Sequence, residues 1–210
     1  MRFTINAVLV RLIAAAALCV LSILVVDDPV ARLFADSVLH HEQRRYAIGA
    51  PAILIPLVVI AILFTFASRR NRKLSAAREA TMVASISALV GFVVNDLIFK
   101  PVFGRKSVDE FLYYASHYGF FPFHGNWGSS FPSGHMAIVS SVVTVLWCYF
   151  PRLRLAYVVG TAIACFLLLI GEWHFVSDII AGAIWGNSVT LIVMKLWPRP
   201  GNQMANLNGS

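Results

Sequence analysis

Two short histidine motifs contain the side chains of this sequence that are best suited to chemistry. One motif reads Pro-Ser-Gly-His at 132–135, and the other reads His-Phe-Val-Ser-Asp at 174–178. Each stands at the start of an apolar stretch that is typical of a membrane-spanning helix. Since one span leaves the bilayer and one returns between the motifs, we expect both histidines at the same membrane face. That arrangement suits a reaction on a molecule held at a membrane surface.

The first motif combines a helix start with a candidate anion site. Ser133 is a good N-cap, and the first backbone N–H groups of the following helix would then face an anion. Gly134 has no Cβ, so an anion can approach the backbone closely, and His135 lies beside it in the first turn. A capped helix with an interfacial histidine is the alternative, and this motif alone does not separate the two.

In the second motif, an aspartate follows a histidine at the spacing of one helical turn. If the chain is helical there, the side chains of His174 and Asp178 lie on one face. A carboxylate that accepts the Nδ1–H of a histidine fixes its tautomer and leaves Nε2 available as a nucleophile. The alternative is a structural hydrogen bond at a helix start.

Two basic residues, Lys100 and Arg105, follow the third apolar stretch and should lie near the same surface. Asp96 precedes Lys100 by one helical turn, so a simple ion pair is the alternative to anion binding. Cations, a helix N-terminus and two histidines suit phosphoryl transfer, which depends on positioning and charge neutralisation. One histidine would form a phosphohistidine and the other would protonate the leaving oxygen. Such a reaction requires no metal and no other cofactor.

Apolar helices must position these motifs. The chain has 210 residues, of which 59% are hydrophobic and 13% are charged, whereas soluble domains average about 45–50% apolar and about 25% charged residues. The stretches that are long and apolar enough to span a membrane are 7–26, 50–67, 81–99, 135–150, 155–172 and 179–197. We therefore predict an all-α fold, a six-transmembrane-helix bundle that forms a single domain over 1–210, with a disordered tail at 198–210.

The distribution of basic residues predicts the orientation. Successive connections between the spans lie on opposite sides of the membrane. The side that holds both termini and the cluster at 69–73 has more Lys and Arg than the other side. By the positive-inside rule this side is cytoplasmic, so the site faces the periplasm or exterior of a bacterial inner (plasma) membrane. The net charge of +7 then reflects topology rather than nucleic-acid binding. On the outer side, 29–48 should form a short interfacial helix, and the aromatic loop 100–131 either anchors the protein or admits a head group.

Together the motifs resemble the type 2 phosphatidic acid phosphatase and haloperoxidase superfamily, in its integral membrane lipid phosphatase branch. The family pattern is a lysine followed after six residues by Arg-Pro, then Pro-Ser-Gly-His, then Ser-Arg, five residues, His, three residues and Asp. The resemblance covers 81–190. It implies a helical membrane bundle with the site on the outer face.

The resemblance also implies a role for each matched residue. Lys100 matches the lysine of the first motif, and the Ser-Gly pair at 133–134 would contact the phosphate. His135 would be the acid for the leaving group. His174 would be the nucleophile, with Asp178 as its partner.

This chain departs from the family pattern at the arginines. Ser107 stands in place of the arginine of the first motif, and Leu167 and Leu168 replace the Ser-Arg of the third. Arg105 would take over part of the phosphate binding. Glu172, close to His174, is unusual beside a phosphate pocket. It would either repel the anion or accept a hydrogen bond from Arg105 or from a cationic head group.

The sequence therefore predicts a phosphoric monoester hydrolase that cleaves a lipid phosphate or diphosphate at the outer leaflet. Its partners would be the bilayer and a phospholipid, polyprenyl diphosphate or lipid A-type substrate. A lipid phosphotransferase, which passes the phosphoryl group or head group to an acceptor hydroxyl, is the alternative among enzymes. A degenerate member that binds a head group without turnover is the alternative outside them.

Overall fold

The computed structural model describes residues 5–35, 50–67, 75–114 and 118–197, which form α-helices joined by loops. In chain order the helices are α1 (Ile5–Leu21), α2 (Asp27–Phe34), α3 (Ala50–Ala67), α4 (Ser75–Val94), α5 (Lys100–Phe103), α6 (Val108–Tyr113), α7 (Gly134–Tyr149), α8 (Arg154–Ile170) and α9 (Val176–Leu196). The predicted all-α fold class is confirmed. The tail at 198–210 and the basic cluster at 69–73 lie outside the described residues.

Long apolar helices make up most of the described chain. Those long and apolar enough to cross a membrane are Ile13–Phe34, Ala76–Phe103, Pro151–Ile170 and Val176–Leu196, and two shorter apolar helices are Ile55–Thr65 and Gly134–Tyr149. Each predicted stretch thus corresponds to a helix, while the passage of all six through a membrane stays a prediction. Of the predicted interfacial helix at 29–48, residues 29–34 continue the first span and 36–49 lie outside the described residues.

Helices α4, α7 and α9 pack against one another and form the centre of the described bundle. Glycines permit the close contact between α7 and α9. A Cβ at Gly182 would lie 2.3 Å from the carbonyl oxygen of Ser133, and one at Gly186 would lie 2.2 Å from that of Ala137. The N–H of Ser133 also donates to the carbonyl oxygen of Asp178 at 3.0 Å. These contacts place the starts of α7 and α9, and with them both histidine motifs, side by side.

Two π-helical turns interrupt long helices near this end of the bundle. Ser22–Val26 separates α1 from α2, and Asn95–Phe99 separates α4 from α5. A π turn is wider than an α turn, so it shifts the following side chains around the helix axis. The first turn is followed by the buried Asp27, and the second contains the buried Asp96. Each turn therefore places a carboxylate inside the bundle, where apolar periodicity alone would not put one.

Candidate active site

The starts of α7 and α9 bring the two motif histidines into direct contact. Nδ1 of His135 lies 3.4 Å from Nε2 of His174, and the ring of His135 also packs against Trp173, with ring centroids 4.8 Å apart. His174 is buried and His135 is half-buried. The convergence that the sequence predicts for His135 and His174 is thus present in the structure.

The second nitrogen of His174 is held by a backbone carbonyl. Its Nδ1 lies 3.0 Å from the carbonyl oxygen of Ser130, whereas Oδ2 of Asp178 is 3.7 Å away. The shorter distance is a hydrogen bond and the longer one is not. A carbonyl oxygen only accepts, so Nδ1 carries the proton and Nε2 keeps its lone pair. Sequence reasoning assigned this job to Asp178 and missed Ser130, because a backbone acceptor has no signature in side-chain types.

Asp178 instead organises the chain around the start of α9. Its Oδ2 accepts the N–H of Phe175 at 2.9 Å, and its Oδ1 accepts Nη1 of Arg105 at 2.5 Å. The carboxylate is fully buried and remains close enough to His174 to act on it electrostatically. Its predicted partnership with His174 is therefore a charge interaction in this geometry.

Arg105 lies in a buried ionic cluster. Nη1 donates to Asp178 and also to Oγ of Ser177 at 2.6 Å, while Nη2 donates to Oδ2 of Asp27 at 2.8 Å. The guanidinium lies over the ring of Phe175, 4.0 Å from its centroid, and the side chain is 1% exposed. Burial opposes the charge, but Asp178 and Asp27 outweigh it and hold the pKa of Arg105 above its ordinary value. Phosphate binding by Arg105 stays a prediction, since both terminal nitrogens already donate to carboxylates.

Tyr118 completes this cluster. Its hydroxyl accepts a hydrogen bond from Nη2 of Arg105 at 2.8 Å and donates to the carbonyl oxygen of Ile23 at 2.7 Å. Burial raises the pKa of the Tyr118 phenol above its usual range. The phenol therefore links the aromatic loop to the π turn that precedes Asp27.

Lys100 is paired inside the bundle. Its Nζ lies 2.8 Å from Oδ1 of Asp96, and these side chains are 12% and 10% exposed. Nζ also donates to the carbonyl oxygen of Trp127 at 3.4 Å. The ion pair considered from the sequence is therefore present, and phosphate contact by Lys100 stays a prediction.

The Ser-Gly pair of the first motif lies at a capped helix start. Oγ of Ser133 accepts the N–H of Met136 at 3.3 Å, as the N-cap role requires. A Cβ at Gly134 would lie 3.4 Å from the ring of Phe92 and 3.6 Å from Nδ2 of Asn95. These are ordinary van der Waals distances, so the space around Gly134 would also admit a Cβ. Anion binding by Ser133 and Gly134 stays a prediction.

Residues that serve the fold occupy the positions of the missing family arginines. Ser107 caps α6 in a capping box with Glu110, and Leu168 packs in a buried cluster with Met136. Glu172 adopts a left-handed conformation, with φ of +52°, in the turn between α8 and α9. It is buried and accepts a hydrogen bond from the hydroxyl of Tyr113 at 3.2 Å. The departures from the family pattern are therefore built into the packing around the site.

A cleft opens in the loop beside the buried ionic cluster around Arg105. It has a volume of about 230 Å³, and its lining includes Lys106, Glu110, His124 and Ser129. Ser129 directly precedes Ser130, whose carbonyl oxygen holds His174. The lining of the cleft is therefore adjacent in sequence to Ser130, whose carbonyl orients His174.

Known proteins resemble this chain in sequence. A lipid A 1-phosphatase of Rhizobium etli is 30% identical over 159 residues, which are 69% of this chain and 66% of that protein. A lipid A 1-phosphatase of Rhizobium johnstonii is 29% identical over 197 residues, which are 87% of this chain and 78% of that protein. The names of both relatives agree with the predicted enzyme class, a phosphoric monoester hydrolase, and the long apolar helices identify an integral membrane protein.

A solved structure, the transmembrane PAP2-type phosphatidylglycerolphosphate phosphatase of Bacillus subtilis, shares 19% identity with a TM-score of 0.38. That comparison covers 87% of this chain and 84% of the other. The family model of the PAP2 superfamily matches residues 79–201, which include both histidine motifs and Lys100. The chain belongs to the PAP2 superfamily.

Proposed function

We propose that this protein is a membrane phosphatase that hydrolyses a lipid phosphate monoester at the outer leaflet through a phosphohistidine on His174. The observation that carries the proposal is the pairing of the motif histidines. Nε2 of His174 lies 3.4 Å from Nδ1 of His135, while Nδ1 of His174 lies 3.0 Å from the carbonyl oxygen of Ser130. One histidine is thus set up as a nucleophile, with a proton donor beside it.

The reaction proceeds in two steps. The lone pair of His174 Nε2 attacks phosphorus, an N–P bond forms, and the P–O bond to the lipid breaks as the leaving oxygen takes a proton from His135. A water molecule then attacks phosphorus while His135 accepts one of its protons. The N–P bond breaks, inorganic phosphate leaves, and both histidines return to their starting protonation states. No step requires a metal ion.

The resting contact between the rings fits this sequence of events. At 3.4 Å it is longer than an ordinary hydrogen bond, so an entering phosphate group can separate the rings at little cost. The imidazole of His174 gains positive charge when Nε2 is phosphorylated. The carboxylate of Asp178, at 3.7 Å from Nδ1, stabilises that charge.

The phosphate itself is held with fewer cations than the family pattern provides. Lys100 and Arg105 are both paired with carboxylates. The backbone N–H groups at the start of α7, around Gly134, therefore supply much of the anion binding, and Lys100 turns toward the phosphate when it enters. Binding energy from the lipid portion of the substrate compensates for the weaker binding of the phosphate group.

A lipid A-type phosphate is the substrate class that the relatives favour among the predicted ones. The cleft lined by Lys106 and His124 would receive the polar head group next to the reacting phosphate. In the proposed topology six helices cross a bacterial inner membrane, both termini are cytoplasmic, and the site faces the periplasm or exterior. The phosphotransferase alternative uses the same phosphohistidine and differs only in the final acceptor.

Phosphate release by the detergent-purified protein on a panel of lipid phosphates tests the proposal. A chelator is present throughout, and products are separated to distinguish free phosphate from a transferred group. We expect metal-independent release that His174→Ala abolishes. The matched control is Cys148→Ala, at an exposed position near the opposite end of α7, which should retain full activity. Full activity in His174→Ala would reject the mechanism.

A further inference from the structure

Asp27 lies outside the family-matched segment 79–201 and yet is buried against the start of α9. Its Oδ1 accepts the N–H of Ser177 at 2.9 Å and the hydroxyl of Ser22 at 3.0 Å. Its Oδ2 accepts Nη2 of Arg105 at 2.8 Å and the hydroxyl of Ser177. One carboxylate of the first span therefore joins two elements of the candidate active site.

The start of α9 requires such an acceptor from elsewhere. The first N–H groups of a helix have no partner within the helix, and a polar side chain at the N-cap usually accepts one of them. The N-cap of α9 is Phe175, which has no acceptor in its side chain. Asp27 accepts the N–H of Ser177, the second residue of α9, and adds a negative charge where the helix dipole favours one. Asp27 thus accepts the N–H that an N-cap side chain would usually accept, although it belongs to another helix.

This cap acts on the nucleophile through two short connections. His174 directly precedes the N-cap residue, so the position of its backbone follows the start of α9. Arg105 bridges the carboxylates of Asp27 and Asp178, and Asp178 in turn holds the N–H of Phe175 and lies 3.7 Å from His174. A change at Asp27 therefore alters both the backbone and the charges beside the imidazole.

We infer that Asp27 is a positioning residue for His174 and acts through Ser177 and Arg105. The inference rests on the proposed role of His174 as the nucleophile. It assigns to the first span, outside the family-matched segment, a direct part in the geometry of the site. The π turn at Ser22–Val26, directly before Asp27, aims this carboxylate inward.

Asp27→Asn tests the inference, because it keeps the size of the side chain and removes the charge. The matched control is Asp28→Asn, since Asp28 is half-exposed and pairs only with Arg32 along its own helix among the contacts described. We expect kcat of Asp27→Asn to fall by about 100-fold, the cost of a misplacement of roughly 1 Å, with KM little changed. Asp28→Asn should behave as the wild type. A purely stabilising residue would lower the melting temperature and leave kcat of the folded protein unchanged.

A second measurement follows His174 without any substrate. Diethyl pyrocarbonate modifies exposed neutral imidazoles, and mass spectrometry reports the rate at His174. We expect faster labelling of His174 in Asp27→Asn, because the buried ring loses its fixed position, and unchanged labelling in Asp28→Asn. If no lipid is hydrolysed by the wild type but labelling still responds to Asp27→Asn, the proposed function fails while the positioning role stands.

Two results would overturn the inference. One is a folded Asp27→Asn protein whose kcat and His174 labelling both match the wild type. If Asp27→Asn does not fold, Ser177→Ala removes the hydroxyl that bonds to both Asp27 and Arg105. It should shift both readouts in the same direction by a smaller amount. The other contrary result is Ser177→Ala with wild-type kcat and wild-type labelling.

Discussion

Replacement of Asp178 by asparagine separates the two ways in which an aspartate can assist a catalytic histidine. The carbonyl oxygen of Ser130, at 3.0 Å, holds the Nδ1–H of His174, whereas the carboxylate of Asp178 lies 3.7 Å away. The tautomer of His174 should therefore survive in Asp178→Asn. At the imidazole itself, the substitution should remove only the charge interaction with the carboxylate.

The size of the loss follows from the distance. Opposite unit charges about 4 Å apart interact by about 4 kcal/mol at an effective dielectric constant of about 20. The guanidinium of Arg105, at 2.5 Å from the same carboxylate, offsets part of this effect at His174. A remaining interaction of about 2–3 kcal/mol corresponds to a decrease in kcat of about 30- to 150-fold. The binding of the ground-state lipid, and hence KM, should change much less.

Steady-state phosphate release by purified Asp178→Asn measures this decrease, with Asp28→Asn as the control for the loss of one carboxylate. The melting temperature should also fall, because Arg105 keeps only one of its two buried carboxylate partners. Rates are therefore compared at a temperature where both proteins are folded. A kcat as low as that of His174→Ala would show that the Ser130 carbonyl does not suffice to orient the ring. An unchanged kcat would remove Asp178 from the mechanism.

Three further substitutions test the surroundings of the site. Gly182→Ala pushes α9 away from the α7 backbone and should lower the stability by about 1–3 kcal/mol and also lower the activity. Gly160→Ala, with open space around it, should change neither stability nor activity. Equal melting temperatures for the two variants would contradict the packing. The double variant Asp96→Asn, Lys100→Met removes both charges of the ion pair. It should raise KM about tenfold or more, since a charge-assisted hydrogen bond contributes about 1.5–3 kcal/mol. An unchanged KM would exclude Lys100 from phosphate binding. In an alkaline absorbance titration, Tyr118 should ionise above the usual range of a tyrosine, because burial raises its pKa, and Tyr118→Phe should delete that step. The stability gained from its protonated phenol is complete below the unfolded pKa of about 10 and is lost as pH rises through the folded value. Ionisation of Tyr118 at the pKa of an unfolded tyrosine would contradict its burial.

Much of the fold follows from the sequence because apolar stretches long enough to span a membrane have few alternatives to helices. The predicted stretch at 50–67 coincides with α3, and that at 135–150 differs from α7 by one residue at each end. The first and third spans were predicted at 7–26 and 81–99. Their helices continue to Phe34 and Phe103, and each contains a π turn. Such turns leave no periodic signal in the sequence.

Some features of the candidate site could also be predicted from the sequence, and others could not. The meeting of His135 and His174 could be predicted, since topology and helix starts fix where the motifs lie. The hydrogen-bond and ion-pair partners of the site residues could not be predicted. Ser130 acts through its backbone, and Arg105 could bind either a phosphate or a carboxylate with equal chemistry. Asp27 did have a signal, because a carboxylate at the end of an apolar span is costly unless it has a partner.

Trapping of the covalent intermediate is the decisive measurement. Wild-type protein is mixed with a lipid labelled in its phosphate group, quenched within the first turnovers in alkali, digested, and examined for labelled peptides. We predict an acid-labile, alkali-stable phosphoryl group on His174, formed and lost at rates that match turnover. A phosphoryl group on any other residue, or unlabelled protein during continued turnover, would contradict His174 as the nucleophile.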